Sequence, residues 1–215
     1  PPYPVLDDIL ECLIEKEMGV EEIVARGHDV AIHYLGSETE AEATAAEARA
    51  LGVNARIFRA DLLDEAETQA LIPTVTQAMG PLTVLVNNAS IFEYDNIATA
   101  TRDSWDRHIG SNLRAPFILT QEFARKLPPP PHTGPEPQAH GLIVNLIDQR
   151  VLKPTPEFIT YSLAKAGLWA LTRTSAQALA PHIRVNAIGP GPTMQGARQS
   201  AAHFARPRAA TILQR

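Results

Sequence analysis

Tyr161 and Lys165 stand four residues apart in Tyr161-Ser162-Leu163-Ala164-Lys165, near the start of an amphipathic stretch. On a helix that spacing places the phenol and the ammonium on one face, a turn apart. A phenol titrates near ~10 and is a weak acid at neutral pH, but an adjacent fixed cation favours the phenolate and brings proton donation into reach. The pair is therefore a candidate acid with its tuner. The same spacing also fits a surface lysine beside a half-buried tyrosine.

Such a pair needs a rigid scaffold, and the flanking segments describe one. Leu82-Thr83-Val84-Leu85-Val86-Asn87-Asn88-Ala89-Ser90 is a buried-strand run that ends in amide and small residues, where a parallel strand would open into a crevice. Ile183-Arg184-Val185-Asn186-Ala187-Ile188 is another strand, breaking into Gly189-Pro190-Gly191-Pro192. Strands are also expected over 29–34, 55–60 and 142–147, and helices over 38–51, 64–79, 103–127 and 156–179. Residues 128–140 contain six prolines and read as a loop. Strands alternating with helices at this spacing predict a parallel sheet covered on both faces.

Together with Asn112 in Ile109-Gly110-Ser111-Asn112-Leu113, these segments resemble the short-chain dehydrogenase/reductase family over residues 29–215. The resemblance implies an α/β, Rossmann-like, doubly wound parallel sheet, and hydride transfer from a nicotinamide cofactor to an electron-poor carbon. Tyr161 would give the matching proton, Lys165 would hold the nicotinamide ribose, and Asn112 would anchor a water linking the lysine to solvent. Asp148 lies thirteen residues before Tyr161, where most of the family carries a catalytic serine. With Asn88-Ala89-Ser90-Ile91-Phe92 and His33-Tyr34, it resembles the pteridine reductase branch, in which Phe92 would stack on a flat heterocycle and Ser90 would hydrogen-bond to it. Each assignment has a plainer alternative: a turn-making Asp148, a packing Phe92, and an Asn112 bonded to backbone.

The resemblance assigns cofactor contacts to His33, Ser37, Asp61, Asn88, Ala89, Ser90, Pro190 and Gly191, besides Tyr161 and Lys165. An acidic residue ending the second strand would bind the ribose hydroxyls of NAD. None stands in His33-Tyr34-Leu35-Gly36-Ser37, so NADPH is expected, although the basic residue usual in the pteridine branch is replaced by Leu35 and Gly36. Ser37 is a candidate phosphate ligand and equally an ordinary helix cap.

Both ends depart from the family. No first strand and glycine-rich turn precede Asp29, so a cradle for the pyrophosphate is not found in the sequence. Instead Leu6, Ile9, Leu10, Leu13 and Ile14 form a helical stripe, and residues 1–28 are similar to the C-terminal tail of NAD synthetases. The expected organisation is a helical segment of foreign origin over 1–28 and a reductase domain over 29–215, lacking its final strand. In the family's strand order the missing first strand lies between those at Asp29 and Leu82. An active pteridine reductase, a general carbonyl or alcohol reductase, and a catalytically inactive truncated or chimeric chain all fit these residues; the first 28 residues also suit a docking element.

The 215 residues, 45% hydrophobic, suffice for one sizeable core, and the net charge of −5 argues against a nucleic-acid partner. No apolar run reaches the ~20 residues that span a bilayer. One cysteine, Cys12, forms no internal disulfide and suits a cytoplasmic setting, and the seven histidines lack metal-ligand spacing. The expected partners are a small-molecule substrate and further copies of the chain, as a dimer or tetramer.

Overall fold

The computed structural model describes residues 27–130 and 138–190. The N-terminal apolar stripe, the Pro/Gly turn from Gly191 onward and part of the proline-rich loop lie outside the described residues. Five parallel strands alternate with helices: β1 (Val30–Tyr34), α1 (Glu38–Ala50), β2 (Ala55–Arg59), α2 (Glu65–Met79), β3 (Val84–Asn87), α3 (Arg102–Ile109), α4 (Ala115–Lys126), β4 (Gly141–Leu146), α5 (Ile159–Leu179) and β5 (Ile183–Ile188). The alternation matches the sequence expectation, with ends shifted by a residue or a few.

Helix α1 buries Ala41, Ala45 and Ala48, one face at spacings of four and three, against Val30, Ile32 and Ile57 of the first two strands. Leu51 and Gly52 end it, the glycine supplying a φ of 92°. Helix α2 starts at Asp64, whose carboxylate accepts the backbone N–H groups of Ala66 and Glu67 at 2.8 and 3.0 Å. Its buried Leu71, Ile72 and Val75 pack with Leu119 of α4, and Ala31, Phe58 and Leu85 close the same cluster. One apolar cluster thus joins residues of β1, β2 and β3.

Among the described residues the strands form two sheets, β1–β2 and β3–β4–β5, with every neighbouring pair parallel. No ladder joins β1 to β3. Among the described residues, the two sheets meet through α2 and α4, whose apolar side chains pack with β1, β2 and β3. The wholly buried Leu142, Ile143 and Val144 put β4 at the centre of the second sheet.

The helix expected over 103–127 is interrupted. Between α3 and α4, Gly110–Arg114 forms a π-helical turn, whose extra residue rotates Asn112 inward until it is fully buried. Opposite, Gly167 of α5 meets Leu113 so closely that an added Cβ would lie 2.7 Å from the leucine side chain. A larger residue at 167 would require the Leu113 side chain to shift.

Candidate active site

The strand ends place the reactive side chains. β4 and β5 end at Leu146 and Ile188, β3 at Asn87, and α5 lies across them. Buried amides link these elements: Asn87 Nδ2 donates to Asn145 Oδ1 at 2.8 Å, and Asn145 Nδ2 donates to Thr172 Oγ1 at 2.9 Å. Thr172 in turn donates to Leu168 O. This chain fixes α5, and hence Tyr161 and Lys165, relative to β3 and β4.

Tyr161 is 6% exposed and its hydroxyl donates to Asp148 Oδ2 at 3.0 Å. Lys165, 3% exposed, donates to Leu146 O at 2.6 Å, and its Nζ lies 5.8 Å from the Tyr161 ring centre. The expected lowering of the phenol's pKa by this lysine is not what the geometry gives. Burial first, then the charge and hydrogen bond of Asp148, push the Tyr161 phenol well above its ordinary range, with Arg150 opposing weakly. Sequence spacing supplies the ammonium but neither the burial nor the intervening carboxylate. For Lys165, burial outweighs the attraction of Asp148 and lowers the pKa to about 8. At neutral pH the site holds a protonated phenol and an ammonium near its titration point.

Asp148 is where the thirteen-residue offset places it, against the tyrosine. Its Oδ1 also accepts the backbone N–H of Arg150 at 2.8 Å, opening a 3-10 turn over Gln149–Val151. Both expectations therefore meet at one residue: Asp148 makes a strand-end turn and also binds the candidate acid. Phe92 stacks on Phe158, ring centres 4.3 Å apart and planes 13° apart, and meets Tyr161 edge-on at 4.7 Å. With 43% exposure it is a partly open platform beside the phenol. Ser90 is exposed and its hydroxyl reaches only Ile91 O, at 3.5 Å.

Asn112 uses its side chain twice on one residue, accepting from Ile91 N and donating to Ile91 O, both at 2.8 Å. It holds the loop between Ser90 and Phe92, as the backbone-bonded alternative describes. Asn88 and Ala89 are exposed at the end of β3, and Pro190 is exposed after β5. At the end of β1, His33 Nε2 bonds Ala60 O at 2.8 Å, tying β1 to β2. Asp61 Oδ1 accepts Leu63 N at 2.9 Å and shapes a turn, while Ser37 makes no capping bond to α1. Only the Ser37 carbonyl bonds the helix, accepting the Ala41 N–H at 3.0 Å; its side chain makes no cap.

A second cluster, unforeseen in the sequence, braces the start of α5. Phe158, the residue before α5, has φ 57° and ψ 46°, a left-handed conformation that costs a bulky residue about 1–2 kcal/mol. Its N–H donates to Asp95 O at 2.7 Å. The buried Thr160 hydroxyl bonds Asp95 Oδ2 by a short contact and lies 2.7 Å from His108 Nδ1. His108 Nε2 accepts the Glu93 N–H at 3.1 Å, so Nδ1 carries the ring proton. Burial raises the Asp95 pKa, but hydrogen bonds from the side chain and backbone of Thr160 and from Ser104 outweigh it and leave the group below its ordinary value. Asp95, Thr160 and His108 thus fasten the residue preceding Tyr161 to the loop that carries Phe92.

Two observations bear on a nicotinamide cofactor. An ammonium has three donors and Lys165 spends one on Leu146 O, leaving two for vicinal hydroxyls. Asn87 Oδ1 is enclosed at the end of β3 with no donor among the described residues. The nicotinamide-ribose end of a dinucleotide therefore fits these residues; a glycine-rich phosphate turn is not found among the described residues. Among them, too, no helix is long and apolar enough to cross a membrane, and no cluster of His, Cys, Asp or Glu is arranged to hold a metal.

Comparison with known proteins agrees with this geometry. The chain is similar to FolM alternative dihydrofolate reductase 1 from Brucella suis, solved in complex with NADP, at 43% identity and a TM-score of 0.82, covering 91% of this chain and 75% of that one. It is similar to a short chain dehydrogenase from Burkholderia cenocepacia, also with NADP, at 32% identity and a TM-score of 0.77, covering 88% and 76%. It is 33% identical over 171 residues to 3-oxoacyl-[acyl-carrier-protein] reductase FabG of Staphylococcus aureus, covering 79% of this chain. The chain spans 66% of that relative's length. The family model for short chain dehydrogenase matches residues 17–204, and the chain belongs to that family.

Proposed function

We propose that this protein is an NADPH-dependent reductase of a pteridine-type ring, dihydropterin or dihydrofolate in kind, with Tyr161 as the proton donor. The observation that carries this is the Tyr161 hydroxyl on the Asp148 carboxylate beside the Phe92 face, with Lys165 one turn away. Similarity to an NADP-bound alternative dihydrofolate reductase supports both the cofactor and the substrate class.

When bound, NADPH supplies the hydride. Lys165, through its two spare donors, binds the ribose hydroxyls and so sets the position of the nicotinamide ring. Asn88, Ala89, Ser90 and Pro190, at the strand ends, would line its path, His33, Ser37 and Asp61 would serve the adenosine side, and the Gly191 contact lies outside the described residues. Tyr161 stays protonated in the resting site, so the acid is fully loaded. It gives its proton to the substrate heteroatom as negative charge develops there, and the nearby Lys165 ammonium offsets the charge left on the phenolate. Asp148 holds the phenol in place and accepts N–H groups from the heterocycle edge. Phe92 stacks on the ring face and Ser90 hydrogen-bonds the ring. Asn112 acts here by fixing the Ile91 backbone beneath these residues and is the candidate anchor for a water linked to Lys165.

The similarity to 3-oxoacyl reductases favours a second reading, a general carbonyl reductase using the same tyrosine and lysine. The homo-oligomer belongs to the proposal as well, supported by Phe117 on α4 and Leu163 on α5, 38% and 48% exposed. A cytoplasmic setting completes it. Fluorescence titration with NADPH and NADH tests the cofactor assignment, and parallel assays with a dihydropterin and a ketone separate the two substrates. Saturable NADPH enhancement with preferred dihydropterin reduction is expected; a folded protein that binds neither nucleotide would refute the proposal.

A further inference from the structure

Arg150 follows Asp148 by two residues and is held by it twice, through its backbone N–H and through Nη1, which donates to Oδ2 at 3.2 Å. The guanidinium carbon lies 5.5 Å from the Phe92 ring centre and 5.2 Å from that of Phe158. The head group is thereby fixed against two aromatic rings and against the carboxylate that also accepts the Tyr161 hydroxyl. A guanidinium has five N–H donors, and here the hydrogen-bonded ones are on Nη1. Among the described residues Nε is enclosed without an acceptor, and Nη2 takes no part in the bonds of Arg150. An enclosed donor left unpartnered on a cation is unfavourable, and such groups in folded proteins call for a reason.

We infer that Arg150 is the specificity-determining residue of this site, its Nη2 donors and the Asp148 oxygens together reading the edge of a flat heterocycle in which an acceptor atom adjoins an N–H. The inference rests on the reductase assignment proposed above and narrows its substrate class. A carboxylate only accepts hydrogen bonds and a guanidinium only donates them. Side by side and anchored to each other, they complement an amide-like ring edge, a carbonyl oxygen or ring nitrogen next to an N–H. Phe92, backed by Phe158 on one face and 43% exposed, supplies the aromatic surface against which such a ring lies. An isolated ketone offers an acceptor alone, brings Asp148 no donor beyond those of Tyr161 and Arg150, and gains no stacking. Sites built around paired polar groups reject substrates lacking the partners far more strongly than apolar pockets discriminate by size. Were Arg150 only a counter-charge for Asp148, its loss would weaken the reduction of every substrate alike.

The test compares wild type with Arg150→Met, which keeps a long apolar stem, and Arg150→Lys, which keeps the charge but not the planar fork. Two quantities are read: equilibrium binding of pterin, followed by its own fluorescence, and the ratio of kcat/KM for dihydrobiopterin to that for a simple ketone. Arg150→Met is expected to weaken pterin binding and lower the selectivity ratio by about tenfold or more, mainly through KM, with Arg150→Lys recovering only part. An unchanged ratio or unchanged pterin affinity would overturn the assignment. If the Met variant fails to fold, the Lys variant decides, since pterin affinity equal to wild type would also overturn it. Wild-type protein that reduces the ketone but neither binds pterin nor reduces dihydrobiopterin would instead overturn the pteridine assignment, and this inference with it.

Discussion

The Tyr161 hydroxyl donates to Asp148 Oδ2 at 3.0 Å, across thirteen residues of sequence and from the first turn of α5 to the end of β4. Burial first, and this contact second, hold the proton on the candidate acid. Tyr161→Phe removes the proton donor while preserving the ring contacts with Phe92. Turnover is expected to fall by about 10²-fold or more, with NADPH affinity within a few-fold of wild type. Undiminished turnover in single-turnover assays would show that another group protonates the substrate.

Asp148→Ser places at this position the residue most of the family carries. It removes the carboxylate that orients both Tyr161 and Arg150. Reduction of a dihydropterin should drop by about 10²-fold or more, and that of a simple ketone distinctly less, because only the heterocycle has N–H groups for the carboxylate. Equal losses in kcat/KM for both substrates would contradict the edge-recognition role.

Lys165→Met separates function from stability. The folded-state pKa of Lys165, about 8, lies below its ordinary 10.5, so between those values the unfolded chain binds more protons and stability rises with pH. At neutral pH the buried ammonium is a burden that methionine relieves, in part offset by the lost bond to Leu146 O. Urea unfolding at about pH 7 should show the variant more stable by about 1–3 kcal/mol, with the gain shrinking toward about pH 10. Catalysis should be lost, and wild-type NADPH affinity should decline as pH rises through about 8. A variant less stable than wild type by the same amount at both pH values would refute the burial argument.

Thr160→Val keeps the shape of the side chain but deprives Asp95 of its hydroxyl donor in a buried setting. The expected cost is about 2–4 kcal/mol of stability. Because Asp95 has a lowered folded pKa, its contribution is present above the ordinary value of 3.8 and lost as pH falls through the lower folded value. The wild type's advantage over Thr160→Val should therefore narrow in acid. Urea unfolding at neutral pH and at about pH 3 checks this, and Thr160→Ser should restore most of the loss. A pH-independent difference would assign the effect to packing alone.

These predictions mark where sequence was informative. The strands and helices were legible because their periodicity is local, and Tyr161, Lys165 and Asp148 because their offsets are fixed by one helix and one strand end. Arg150 and Phe158 left no such mark, since their roles come from rings and carboxylates gathered in space. The contacts of Thr160 with Asp95 and His108 span 65 and 52 residues. The π turn at Gly110–Arg114 inserts a single residue into an otherwise helical pattern, which periodicity reads through. The acidity of Tyr161 is hidden for the same reason: spacing locates a cation but does not measure burial.

The most direct test is NADPH consumption by the purified protein with dihydrobiopterin, run beside Tyr161→Phe. The account predicts saturable, dihydropterin-dependent oxidation of NADPH in the wild type that the variant nearly abolishes. A folded wild type that consumes no NADPH with dihydrobiopterin, or a Tyr161→Phe variant that consumes it equally fast, would contradict it.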